Sequence, residues 1–157
     1  MRVTVLGSGQ WGTTLAQVLC DAGNDVLIWS RNQNVVDEIN SVHTNQRSLP
    51  ALVLPNNLRA TSNVSAAFEH SELTVLAIPA QTLRENLREW KPLISSEIPM
   101  VSSLKGVEVA TQLRMTEVVH QVLDFPEEKL AIITGPNLAR EVVLRQPTGA
   151  VAASVSQ

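Results

Sequence analysis

Three glycines, Gly7, Gly9 and Gly12, stand at G-x-G-x-x-G spacing in the stretch Leu6-Gly7-Ser8-Gly9-Gln10-Trp11-Gly12-Thr13. Glycines spaced in this way suit a phosphate anion. The first lets the chain turn tightly, the second lets bare backbone approach a pyrophosphate, and the third lets a helix pack close to the preceding strand. The helix that follows then offers free N–H groups and the positive end of its dipole to the anion. The spacing alone says little, and a glycine turn that binds nothing has the same pattern. Its setting adds weight: Val3–Leu6 reads as a buried strand, and from Thr13 onwards Leu15, Val18 and Leu19 read as a helix. The chemistry indicated is recognition of a dinucleotide.

Further residues of chemical interest fall at the ends of later strands. Ser30-Arg31-Asn32 follows a second apolar run, Asp25–Trp29, where a dinucleotide with a free ribose 2′-hydroxyl usually meets a carboxylate. No acid stands there, and Arg31 could grip a 2′-phosphate, so NADPH is preferred over NADH; a solvated arginine at a helix start is the alternative. Pro79 ends a third apolar run and should lie near the middle of the cofactor. Lys105-Gly106 ends another, where Lys105 could bind a phosphate or an oxygen beside the nicotinamide, unless it is an ordinary surface lysine. Gly135-Pro136-Asn137 makes a second glycine turn in the same crevice, with Asn137 suited to cap a helix.

These residues need a scaffold that brings strand ends together. Strands are expected at 3–6, 25–29, 58–61, 73–78, 100–103, 130–134 and 150–155. Helices are expected from Thr13, over 34–42 and 65–69, through Leu83, Leu87 and Trp90, and over 109–123. Val35, Val36, Ile39 and Val42 would face the sheet, and the proline-bearing loop 45–55 would border the adenosine side. His43 reads as a surface or capping residue, His70 as exposed and Cys20 as a small core residue. The pattern predicts one α/β domain over 1–157: a Rossmann-type doubly wound, mostly parallel sheet with helices on both faces.

Composition narrows the partners. The chain has 157 residues and a net charge of −3, which gives no general electrostatic case for nucleic acid or an anionic membrane. Aromatic residues make up only 3%, so aliphatic side chains must do most of the packing. No apolar run approaches a membrane span, and the first strand leaves no room for a signal peptide. A single cysteine fits a reducing cytoplasm. No C-x-x-C, H-E-x-x-H or G-x-S-x-G pattern is present, and no metal site is expected.

Taken together, the motifs resemble those of the bacterial-type NAD(P)-dependent glycerol-3-phosphate dehydrogenases, in their N-terminal cofactor-binding half. The matching pieces are Gly7-Ser8-Gly9-Gln10-Trp11-Gly12-Thr13, Ser48-Leu49-Pro50, Ile78-Pro79-Ala80-Gln81, Ser103-Leu104-Lys105-Gly106-Val107-Glu108 and Gly135-Pro136-Asn137-Leu138-Ala139-x-Glu141. The resemblance implies reduction of dihydroxyacetone phosphate to sn-glycerol 3-phosphate in the cytoplasm, for phospholipid synthesis, with hydride from nicotinamide C4. It implies cofactor contacts at Gln10, Trp11, Arg31, Asn32, Lys105 and Ala139, and substrate contacts at Lys105, Gly135 and Asn137. Asn137 stands where the family often has Ser or Thr, and Thr134 where it often has Ser. The family carries its proton-donating lysine in a C-terminal helical domain that this chain does not contain. No catalytic residue is therefore expected here, and residues 1–157 should bind cofactor without full turnover. A homodimer is possible in the full-length enzyme. Two alternatives stay open: another two-domain reductase of β-hydroxyacid or ketopantoate type, or a non-enzymatic NAD(P) sensor.

Overall fold

The computed structural model describes residues 1–156 and contains the expected alternation of strands and helices. In order these are β1 (Arg2–Leu6), α1 (Gln10–Asp21), β2 (Asp25–Trp29), α2 (Gln33–Val42), β3 (Arg59–Thr61), α3 (Val64–His70) and β4 (Leu73–Leu76). They continue with α4 (Leu83–Trp90), β5 (Met100–Ser102), α5 (Met115–Leu123), β6 (Leu130–Thr134), α6 (Ala139–Val143) and β7 (Val151–Ser154). The sheet runs β3-β2-β1-β4-β5-β6-β7. Its first six strands are parallel, and β7 returns antiparallel along β6, with Thr134 opposite Val151.

Alternation along β1 divides the core. Val3 and Val5 face α1 and α2 with Leu15, Ala16, Val36, Ile39 and Leu58, whereas Leu6 joins the layer of α3, α4 and α5 with Phe68, Leu87, Val118 and Val119. The scarce aromatics gather in this second layer: Trp90 meets Trp29 edge-on at 5.1 Å and Phe68 at 6.0 Å. Cys20 is buried in the first layer, and burial, followed by Asp21 and Asp25, pushes its thiol up to about 11. Among the described residues no helix is long and apolar enough to cross a membrane.

Several boundaries differ from expectation. β4 stops at Leu76, not Ile78, because Ala77 and Ile78 turn away beneath Gly7. The helix expected from Val109 begins only at Met115. Before it, Val107 bridges to Arg114 and the Glu108 N–H donates to the Leu113 carbonyl, closing a hairpin whose Gln112 is left-handed at φ 59°. Val42 is 60% exposed at the helix end rather than facing the sheet, and His43 caps α2 in the left-handed region. His70 is half-buried, its Nε2 3.1 Å from the Asp25 carbonyl.

Candidate functional site

Strand order reverses between β1, which leads outwards to β2 and β3, and β4, which leads to β5 and β6. The carboxyl ends of β1 and β4 therefore diverge and leave a crevice, the usual ligand position in an open parallel sheet. The glycine turn sits there. Gly7 has φ 125°, and a Cβ added to it would lie 2.5 Å from the Ala77 carbonyl oxygen. A Cβ at Gly12 would collide with the Gly7 carbonyl. Gly9 differs: its backbone is extended, at φ −69° and ψ 178°, and an added Cβ would meet nothing within 4 Å. Gly7 and Gly12 are thus required by packing, and Gly9 keeps clear the space above the loop. Helix α1 starts at this point with neither a side-chain cap nor an acid in its first turn. Its leading N–H groups and positive dipole end are left to an external anion.

The turn is fixed from below and from the side. The Ser8 hydroxyl donates to Ser30 Oγ at 2.7 Å, joining it to the end of β2. The Ser8 carbonyl accepts from Thr13, Asn45 and Ser48. The loop after α2, expected to border the adenosine side, therefore underpins the glycine turn.

Next to the turn, Gln10, Trp11, Lys105, Asn137 and Ala139 share one cleft of about 300 Å³. Lys105 Nζ donates to Asn137 Oδ1 at 3.0 Å and to the Gly135 carbonyl at 3.2 Å, and it lies 5.5 Å from the centre of the Trp11 ring. All these partners are neutral, and among the described residues Lys105 makes no ion pair. Its ammonium is held in place with its charge uncompensated, which suits a phosphate or a carbonyl oxygen in which charge develops. Trp11 Nε1 is buried with no hydrogen-bond partner, a second donor available to a ligand. Together with the anion seat at α1, these groups fit a dinucleotide with its reacting end beside Lys105.

The remaining expected site residues take other places. Arg31 is exposed at the end of β2, and its Nη2 donates to Asn86 Oδ1 at 3.0 Å, so the guanidinium is oriented by a buried amide. Asn32 caps α2, its side-chain oxygen accepting from the Asn34 N–H at 3.0 Å. Pro79 opens a tight turn whose neighbours Ile78 and Ala80 line the cleft. Gly135, at φ 152°, lies against Gly149, where a Cβ would be 2.7 Å from the carbonyl oxygen. Asn137 does not cap α6; Leu138 occupies that position, and the buried Asn137 side chain holds Lys105 instead. The cleft also takes in Ser103, Leu104 and Leu138, which neighbour expected site residues in the sequence and carried no separate signal. A larger groove, about 390 Å³, runs along α5, β6 and β7 and contains none of the glycine-turn residues.

This arrangement has close relatives. Residues 2–157 match the family described as NAD-dependent glycerol-3-phosphate dehydrogenase, N-terminus. The chain belongs to this family. It is 45% identical to a glycerol-3-phosphate dehydrogenase [NAD(P)+] of Streptomyces avermitilis over 157 residues, 100% of this chain and 47% of that protein. The crystal structure of glycerol-3-phosphate dehydrogenase from Coxiella burnetii superposes with a TM-score of 0.87 at 32% identity, over 98% of this chain and 46% of that one. The glycerol-3-phosphate dehydrogenase of Plasmodium falciparum gives 0.89 at 25% identity, over 98% and 46%. The chain spans about half the length of the curated relatives it matches. Family membership gives the expected motifs a common frame: the glycine turn, the Lys105 turn and the Gly135 turn all lie around the crevice between β1 and β4 or on the adjoining strand ends.

Proposed function

We propose that this domain binds NADPH, with NADH as a weaker substitute, for the reduction of dihydroxyacetone phosphate to sn-glycerol 3-phosphate, a cytoplasmic step that feeds phospholipid synthesis. The observation that carries the reading is the Lys105 ammonium, held by neutral oxygens beside Trp11 and next to the open glycine turn. When bound, the dinucleotide supplies a hydride from its nicotinamide. The chain's own residues then divide the work. Gly9 and the first turn of α1 seat the pyrophosphate, Arg31 meets the 2′-phosphate, and Gln10, Trp11 and Ala139 flank the reacting end. Lys105 draws in a substrate oxygen or phosphate, kept in place by Gly135 and Asn137. Lys105 is the one titratable side chain among the cleft residues, so proton donation to the product alkoxide is assigned to residues beyond this domain.

Calorimetric titration of the chain tests both ends of the site. Arg31→Ala should weaken NADPH about tenfold and leave NADH within twofold, since one charge-assisted contact is worth roughly 1.5–3 kcal/mol. Lys105→Ala should weaken sn-glycerol 3-phosphate for the NADPH-loaded chain. Equal losses for both dinucleotides in Arg31→Ala, or a glycerol phosphate affinity indifferent to Lys105, would contradict the assignment.

A further inference from the structure

The Ser8 carbonyl oxygen receives three side-chain donors: Asn45 Nδ2 at 2.9 Å, Ser48 Oγ at 3.0 Å and Thr13 Oγ1 at 3.2 Å. Asn45 Nδ2 also donates to Thr13 Oγ1 at 2.9 Å, so the three side chains form one connected group. A carbonyl oxygen has two lone pairs, and three donors are more than its ordinary complement. The group rests on firm ground. Asn45 and Thr13 are fully buried, Leu49 and Leu54 anchor the loop that carries Asn45 and Ser48, and the Leu49 N–H donates to the Asn45 carbonyl at 2.8 Å.

The effect of holding this oxygen reaches the other side of the same peptide. The bond between Ser8 and Gly9 is planar and trans, so its N–H points opposite to its C=O. Three donors pull the oxygen inward, towards the Asn45 loop. The Gly9 N–H is thereby turned outward, to the side where Gly9 leaves open space. We infer that Asn45 and Ser48, acting with Thr13, are positioning residues that aim the Gly9 N–H at the pyrophosphate of the bound dinucleotide. This gives Ser48-Leu49-Pro50 a physical purpose: the serine holds the turn, and the leucine anchors the loop beneath it. The inference rests on the proposed dinucleotide site, but assigns the loop after α2 a part in it beyond bordering the adenosine.

Ser48 is half-buried, so its replacement should leave the fold intact. The test is NADPH affinity by calorimetry for the wild-type chain, Ser48→Ala and Ser48→Thr, each with its melting temperature. Loss of one aligning hydrogen bond should weaken binding about tenfold in Ser48→Ala, with little change in melting temperature. Ser48→Thr keeps the hydroxyl and should bind within about twofold of wild type, a rescue that mere loop attachment does not require. In the wild-type chain the Gly9 amide proton resonance should move downfield on adding NADPH. The inference is overturned if Ser48→Ala binds as wild type does, if both variants weaken equally, or if the Gly9 resonance does not move. If the wild-type chain binds no dinucleotide at all, the functional reading itself falls, and this inference with it.

Discussion

A methyl group added at Gly12 would run into the Gly7 carbonyl, and one at Gly7 into Ala77, yet one at Gly9 would meet nothing. The three glycines of one motif therefore answer to different demands. Gly12→Ala forces α1 away from β1, and overpacking of this kind costs about 1–3 kcal/mol. It should lower the melting temperature by several degrees. Gly9→Val should leave thermal denaturation almost unchanged, because its backbone lies in the extended region that valine favours. Its side chain would instead fill the space left for the pyrophosphate. A Gly9→Val protein that melts as early as Gly12→Ala would show that Gly9 serves packing after all. Lys105 illustrates the same division between structure and site: its chain is held by neutral oxygens, and its charge is left for a ligand.

At the level of elements, the hairpin between Val107 and Arg114 carries a pH prediction. Arg84, and then Thr111, hold the Glu108 carboxyl down from 4.5 to about 2. Arg84 grips it through Nε and Nη2, at 2.9 and 2.8 Å. Glu108 thus stays ionised in the folded chain well below the pH at which the unfolded chain takes up a proton. Its contribution is whole above about pH 4.5 and is lost as the pH falls towards 2. The gap in melting temperature between wild type and Glu108→Gln should therefore be widest near neutrality and narrow as pH falls from 5 to 3. A constant gap would remove Glu108 ionisation from the account. The same ion pair explains what the sequence concealed. Buried parallel strands are nearly unbroken apolar runs, so β1, β2, β5 and β6 were legible to within a residue or so. The hairpin was not, because Arg84 and Glu108 lie 24 positions apart and their pairing shows in no local period. Asn137 was misread as a helix cap for a similar reason: its side chain is claimed by Lys105, 32 positions away. The glycine turn and Lys105 announced themselves by position at strand ends, whereas Asn45 gave no signal until the loop was seen folded beneath Ser8.

The whole molecule is a sheet whose strand ends converge on one crevice, and that crevice holds the dinucleotide seat and one uncompensated lysine. Relatives about twice as long share this half, and the proton donor is placed outside it. Residues 1–157 alone should then bind cofactor and leave dihydroxyacetone phosphate unreduced. Titration of the chain with NADPH, run in parallel on Gly9→Val, addresses the central claim most directly. The account predicts saturable one-to-one binding to the wild-type chain, tighter for NADPH than for NADH, and none to a folded Gly9→Val. Absence of binding to the wild type, or equal binding to Gly9→Val, would contradict it.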